Sequence, residues 1–264
     1  MRYVVVVFAV ISAVVVAIQA QSFVDVTSDS HYQALARSYQ PTVLHETGEA
    51  WFPSAWDCDG DSNPNNNLAT YSTSCPRTVY VHVLRDTRWN YVFIQYWYYY
   101  AYNACPSELV YPLSNRIKPL RWPAAQAIET LVLLYVSHAQ DWELAMVILD
   151  GAEKPVSFVL GAHNQLRPQA WSAISTVPGA RTHPFAYAYE GSHAMNQSPS
   201  VPAPWWFGVE TWSGGGSYTT WEGTRRVFVG SGSGLPSDFG NYPAPWRRSI
   251  WNTVPQSLDG ASYG

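Results

Sequence analysis

Charge is scarce in this 264-residue chain: Lys, Arg, Asp and Glu together make up 13% of it. No basic run exceeds a pair, and the 15 basic residues are outnumbered by 19 acidic ones. That balance argues against nucleic acid as a partner. It equally argues against simple electrostatic docking on anionic lipid. Cysteine is also scarce, with three residues, Cys58, Cys75 and Cys105. None of their spacings resembles a zinc site. The chain has no internal repeat, no linker and no second composition regime, so nothing divides it into further domains.

Aromatic residues are abundant, at 15% with 13 Trp and 18 Tyr. Many such rings with few charges suit stacking on sugars, or seating at a membrane interface. Most of them are expected in the core.

The first twenty residues stand apart. Arg2 precedes an apolar run from Val4 to Ile18, and Ala20 precedes Gln21. A short basic start, an apolar centre and a small residue before a polar one predict a cleaved secretory signal peptide at 1–20, with an uncleaved signal anchor as the alternative for an apolar run of this length. The chain is then expected to be secreted and extracellular, without a transmembrane segment once the signal is removed. An oxidising compartment predicts a disulfide. Cys58–Cys75 is the preferred pair, because it closes a polar loop that has little else to order it. An odd count leaves Cys105 over.

Residues 21–264 read as one domain. Thr78–Leu84 alternates as a strand, Arg85–Asn90 is a turn, and Tyr91–Tyr102 is a nearly all-aromatic strand. Apolar residues on both faces of the second run mark a central strand covered on both sides, paired with the first as an antiparallel hairpin. Further short strands are expected at Val156–Leu160, Phe185–Tyr189 and Arg226–Val229, separated by Gly-, Pro-, Ser- and Trp-rich loops. Pro119–Tyr135 breaks the pattern, and Pro123 suits the first turn of a helix. Ser22–Tyr39 is polar and predicts an outer wrapping with one helical turn around Ala34–Ala36. The fold class is therefore mainly β, a single-domain antiparallel β-sandwich with a short helical insertion.

The stretch that carries chemistry is Ser137-His138-Ala139-Gln140-Asp141-Trp142-Glu143, leading into Leu144–Leu149. On a strand Asp141 and Glu143 share a face, and Trp142 points the other way. Two adjacent carboxylates repel. A bend at Ser137–Gln140 would bring His138 round to them, and two oxygens with one nitrogen suit Ca²⁺, Mg²⁺ or Mn²⁺. The same residues also read as a solvated strand end backed by a buried tryptophan. His163 and His193 each follow an apolar run, where strands leave the core, and could line one rim with His138. A second acidic set, Asp57, Asp59, Asp61 and Asn63, alternates as in a calcium loop. Its glycine comes too early and no glutamate closes it, so an Asx-rich turn is the favoured reading.

The His-x-x-Asp-Trp-Glu order resembles the Gly-His-Arg-His-Asp-Trp-Glu heptapeptide of the NPP1 family, the necrosis- and ethylene-inducing peptide 1-like proteins. The wider pattern resembles Vps62-related proteins. It comprises His45-Glu46-x-x-Glu49-Ala50-Trp51-Phe52-Pro53, Tyr96–Asn103, the Asp-Trp-Glu strand, His163 and Glu190–Ala194, and it covers about residues 39–194. The resemblance implies a β-sandwich with a metal-centred cavity at one end. It carries the metal ligands over as His138, Asp141 and Glu143, with Asn103 at the place of a fourth, upstream aspartate. Ser137 replaces the opening glycine and Gln140 the second histidine, departures that weaken any claim of toxin activity. Losing one carboxylate lowers the ligand charge and should weaken cation affinity.

Three functions compete. One is a secreted, metal-binding recognition protein for a glycan or sphingolipid headgroup at a cell surface, extending to cytolytic or necrosis-inducing activity. His163, His193 and Trp142 are its candidate ligand-binding residues. Another is a metal-dependent hydrolase of a phosphodiester or glycosidic bond. Against it, the cluster residues are used up as ligands and nothing activates a nucleophile. The third is a non-catalytic secreted structural protein with a vestigial site.

Overall fold

The computed structural model describes residues 23–61, 66–72, 74–104, 138–162, 165–199, 203–205, 208–210, 212, 214–230, 238–239 and 242–243. The expected signal peptide, the helical insertion, Cys105 and His163 lie outside the described residues.

The hairpin predicted from alternation is the centre of the fold. Strands β1 (Phe23–Asp25), β2 (Thr42–Glu46), β3 (Thr78–Asp86) and β4 (Tyr91–Asn103) are followed by β5 (His138–Leu149), β6 (Pro155–Ala162) and β7 (Gln165–Ala170). Then come β8 (Thr176–Val177), β9 (Ala180–Ala188), β10 (Met195–Asn196), β11 (Ala203–Trp205) and β12 (Gly208–Glu210). The last are β13 (Gly215–Thr219), β14 (Arg225–Phe228), β15 (Asp238–Phe239) and β16 (Tyr242–Pro243). Two helices, α1 (Ser30–Ser38) and α2 (Asn67–Thr70), complete the described elements, with a short 3₁₀ turn at Trp171–Ala173.

One sheet runs β1-β3-β4-β5-β6-β7. Strand β14 joins it parallel to β3 at Thr78–Val81, while β1 takes the other end of the same edge at Leu84–Asp86. The second sheet runs β10-β9-β2-β13, with β8 also paired to β9. Its β2–β9 pair is parallel, which joins residues about 140 positions apart in sequence.

Pleat alternation splits the aromatic strand as expected. Tyr96, Tyr98 and Tyr100 turn inward and pack with Val43, Ala186, Ala188 and Met195 of the second sheet, forming the core between the sheets. Phe93, Trp97, Tyr99 and Ala101 turn outward and are covered by Trp51, Trp56 and Tyr71. β4 is therefore buried on both faces, and two sheets sharing one core make the sandwich.

The segment Ser22–Tyr39 departs from expectation. It holds a strand and a nine-residue helix rather than a single turn. Asp29 starts that helix by accepting a hydrogen bond from His31 N at 2.8 Å, an N-cap visible as Asp-Ser before the Ala-Leu-Ala stretch. Ala36 is buried in the core, and Tyr32, Leu35 and Tyr39 pack against it.

The Cys58–Cys75 disulfide is present, with its Cα atoms 5.6 Å apart. In the loop it closes, Asp61 N approaches Asp59 Oδ1 at 3.4 Å, and Asn66 Nδ2 donates to both Asp59 and Asp61. The acidic loop thus bonds to itself, as an Asx-rich turn does.

Candidate functional site

The Asp-Trp-Glu stretch lies at the start of β5, where register sets Tyr100 opposite Asp141, Tyr99 opposite Trp142 and Tyr98 opposite Glu143. Because Tyr98 and Tyr100 face the second sheet, Asp141 and Glu143 face it too. Trp142 turns to the outer layer, edge-on to Tyr80 at 5.3 Å and tilted against Tyr99 at 5.1 Å. That places Trp142 against the aromatic cover, on the face away from the carboxylates.

The expected bend is not there over His138–Gln140. Those residues continue β5, and His138 stands opposite Asn103 in an unbroken register. Ladder hydrogen bonding to β4 holds the chain extended where the sequence suggested a turn. The side chain of His138 lies outside the described residues.

Asp141 is held by two donors. Asn103 Nδ2 and His193 Nδ1 both reach its Oδ2 at 3.1 Å. Asn103 also donates to the carbonyl of Ser192 at 3.3 Å, so this side chain ties the end of β4 to the loop between β9 and β10. Both contacts use its amide nitrogen, which leaves its carbonyl oxygen as an acceptor.

His193 is not on a rim. Its side chain is 0% exposed, although it does stand just past the end of β9 as its position after an apolar run implied. The imidazole stacks on Tyr100 at 3.7 Å and 7°. Its Nε2 lies 3.4 Å from Glu49 Oε2, an ion-pair contact rather than a hydrogen bond. Burial favours the neutral ring, but Asp141 and Glu49 outweigh it and push the pKa up to about 9. The imidazolium is thus a cation between two carboxylates. Glu49 is in turn held charged. Burial would raise its pKa, but His193 and the backbone N–H groups of Gly191 and Trp51 lower it. Those two amides donate to its carboxylate at 2.9 and 2.6 Å.

In the sequence Glu46 and Glu49 stand only as members of the family-like pattern at residues 45–53, with no role assigned in the site. Glu46 Oε2 accepts from Glu190 N at 2.9 Å. With Glu49 on Gly191, two acidic side chains leaving β2 latch the Glu190–His193 loop. Gly191 closes the latch through its carbonyl, which accepts from Ala104 N at 2.8 Å. It has φ +75°, and a Cβ there would sit 2.7 Å from the Ala104 carbonyl oxygen. Gly191→Ala should therefore cost about 1–3 kcal/mol from backbone strain. A urea-unfolding midpoint equal to wild type would show that the loop relaxes without cost.

His45, next to Glu46 on β2, is wholly buried in the same region. Its ring meets Phe52 and Tyr100 edge-on at 5.0 and 6.2 Å. Its Nε2 is 2.9 Å from Thr219 Oγ1, which also accepts from Arg77 at 2.9 Å. Arg77 can only donate, so the hydroxyl proton is free to point at His45 Nε2. Burial, with His193 and Arg77 adding to it against Glu49, holds the His45 pKa down to about 3.

The donor set at the start of β5 fits a hard divalent cation in kind. Asp141 Oδ1 and Asn103 Oδ1 accept no hydrogen bond among the described residues, and Glu143 shares Asp141's face. The described side chains that converge within 4.8 Å as three metal-ligating groups are different ones, Asp57, Asp59 and Asp61 in the disulfide loop.

No family model matches the chain, and no curated protein matches it. Among solved structures it is similar to one described as "Toxin fold for microbial attack and plant defense". That match has 15% identity and a TM-score of 0.48, over 86% of this chain and 90% of that one. It is also similar to "NLPPya in complex with mannosamine" and "NLPPya in complex with glucosamine". Both have 16% identity over 86% of this chain and 90% of theirs, with TM-scores of 0.46 and 0.45. These neighbours are toxin-fold proteins of the necrosis- and ethylene-inducing peptide 1-like kind, the family whose heptapeptide the Asp-Trp-Glu stretch resembles.

Proposed function

We propose that this is a secreted recognition protein that binds a divalent cation and, with it, a glycan or glycolipid headgroup. The observation that carries the reading is the placement of Asp141. One of its oxygens is fixed by Asn103 and His193, while the side chain stays 12% exposed at the end of the sandwich. A carboxylate oriented from behind and open in front is built to receive something. Asp141, Glu143 and Asn103 would hold the cation. The cation, when bound, would supply a Lewis-acidic centre for sugar hydroxyls or a headgroup phosphate. Asn103 and His193 keep the carboxylate in place, and the buried Glu49 keeps His193 charged.

The hydrolase alternative needs a free general base. His193 does not offer one, since both ring nitrogens face carboxylates in a buried site. Neighbours of similar fold are described with mannosamine and glucosamine, which makes those amino sugars natural first probes.

The test combines elemental analysis of purified protein with melting in Ca²⁺, Mg²⁺ or Mn²⁺ and in chelator. Metal at a hundredfold over Kd should stabilise by about 2.7 kcal/mol. Asp141→Asn and Glu143→Gln should both lose the metal, the chelator-sensitive part of the melting, and binding of amino sugars or glycolipid vesicles. Stoichiometric metal retained in both variants would refute the cation. A mature chain still beginning at Met1 would refute secretion by signal cleavage.

A further inference from the structure

We infer that Arg37 and Arg226 form a binding site for an oxyanion, a sulfate, phosphate or carboxylate group, separate from the Asp141 group. Arg226 and Phe228 lie two residues apart on β14 and so share a face. Arg37, in the last turn of α1, places its guanidinium over the Phe228 ring at 5.2 Å. The two cations therefore meet on one side of the molecule. The positive charge of Arg37 acts on Arg226, whose pKa is lowered first by burial and then by that charge.

Neither arginine forms an ion pair with a carboxylate among the described residues. The ordinary explanation for arginines here would be capping of the helix C-terminus. Three of the last carbonyls already have partners. Ala34 O accepts from Ser38 Oγ, Leu35 O from Tyr39 N, and Ala36 O from Tyr96 Oη. The arginines are not needed there.

Arg226 is nevertheless fixed in place. One of its terminal nitrogens donates to Gln40 Oε1 at 2.7 Å and to the Trp221 carbonyl at 2.8 Å. The bond to Oε1 settles which end of the Gln40 amide is which. Its Nε2 is a buried donor with no partner, on a residue that is 0% exposed. Arg37 makes one long contact, Nη2 to Gln33 Oε1 at 3.5 Å, so both guanidiniums keep N–H groups with no acceptor among the described residues, as does Gln40 Nε2. An anion with several oxygens would match such a set. His183, bonded through Nδ1 to the Gln40 carbonyl at 2.8 Å and stacked on Trp221 at 4.0 Å, ties together the two residues that hold Arg226. A guanidinium fork matches an oxyanion by two parallel hydrogen bonds, which an ammonium cannot do.

The experiment titrates the full chain with sodium sulfate and sodium phosphate against sodium chloride at equal ionic strength. It is read by thermal melting and isothermal calorimetry. Sulfate or phosphate should give a saturable rise in Tm that chloride does not. Arg37→Gln and Arg226→Gln should each weaken binding at least tenfold, and Arg37→Lys should recover part of the loss. An equal rise with chloride, or titration of Arg37→Gln as wild type, would overturn the site. Arg37 is exposed, so its variant decides the matter even if Arg226→Gln fails to fold. Methyl glucuronoside, glucose 6-sulfate and glucose 6-phosphate then assign the source of the anion. Retention of this binding in Asp141→Asn keeps it distinct from the proposed cation site.

Discussion

His193→Ala should destabilise the protein by about 3–5 kcal/mol, the cost of removing one partner from a buried ion pair. The imidazolium is the cation between Asp141 and Glu49, and the Glu49 side chain is 1% exposed. Without the ring, Glu49 keeps two backbone donors but loses its counter-charge in a site that excludes water. It must then take up a proton or remain buried and charged. The Tyr100 ring also loses the face stacked on it at 3.7 Å. The cost should be largest near neutral pH and shrink in acid, where Glu49 protonates. Adding Glu49→Gln should recover part of the loss, since it removes the uncompensated charge, although its single oxygen can accept from only one of the Gly191 and Trp51 amides. Chemical unfolding of the two single variants and the double variant measures the coupling. A His193→Ala cost below about 1 kcal/mol would mean that the two carboxylates are not held by the imidazolium. Because His193 is buried, any loss of ligand binding in this variant would act through Asp141.

Much of the fold was legible in local pattern. Period-two alternation in Thr78–Leu84 and the two-faced aromatic run at Tyr91–Tyr102 located the central hairpin, because burial on one or two faces writes itself into successive residues. The disulfide was legible because the polar loop between Cys58 and Cys75 had little else to order it. What stayed hidden is non-local. The parallel β2–β9 pairing joins Thr42–His45 to Phe185–Ala188, and nothing in either segment names the other. The same separation hid the roles of Glu46 and Glu49. Their partners are amides 144 and 142 residues away, so in sequence they read as ordinary charges among aromatics. Asp141 and Glu143 could be assigned a common face from strand period alone. That Asp141 would meet a histidine 52 residues downstream could not. The expected bend at Ser137–Gln140 rests on His138 reaching the carboxylates by local geometry, whereas pairing with β4 keeps His138–Gln140 extended.

Acid should unfold the protein partly through His45. The ring is wholly buried with a pKa of about 3, against about 6.5 in an unfolded chain. Between those values the unfolded state binds a proton that the folded state refuses. Stability therefore rises with pH across this window, and it falls as pH drops from 6.5 toward 3. Full titration is worth about 5 kcal/mol at 1.36 kcal/mol per unit. Glu49 pushes the same way, since its lowered folded pKa gives stability that is lost as pH falls through that value. His193 has the opposite sign. Its pKa is raised to about 9, so its contribution is complete below 6.5 and is lost as pH rises through 9. The stability maximum should therefore lie near pH 6.5, with an acid limb set largely by His45. His45→Gln separates that limb from the carboxylates, because glutamine keeps a polar group toward Thr219 and cannot titrate. The variant should lose less stability than wild type between pH 6.5 and 4, measured as urea-unfolding free energies at matched ionic strength. Parallel acid limbs in the two proteins would show that His45 takes its proton without unfolding the chain, and that the buried ring is not what acid attacks.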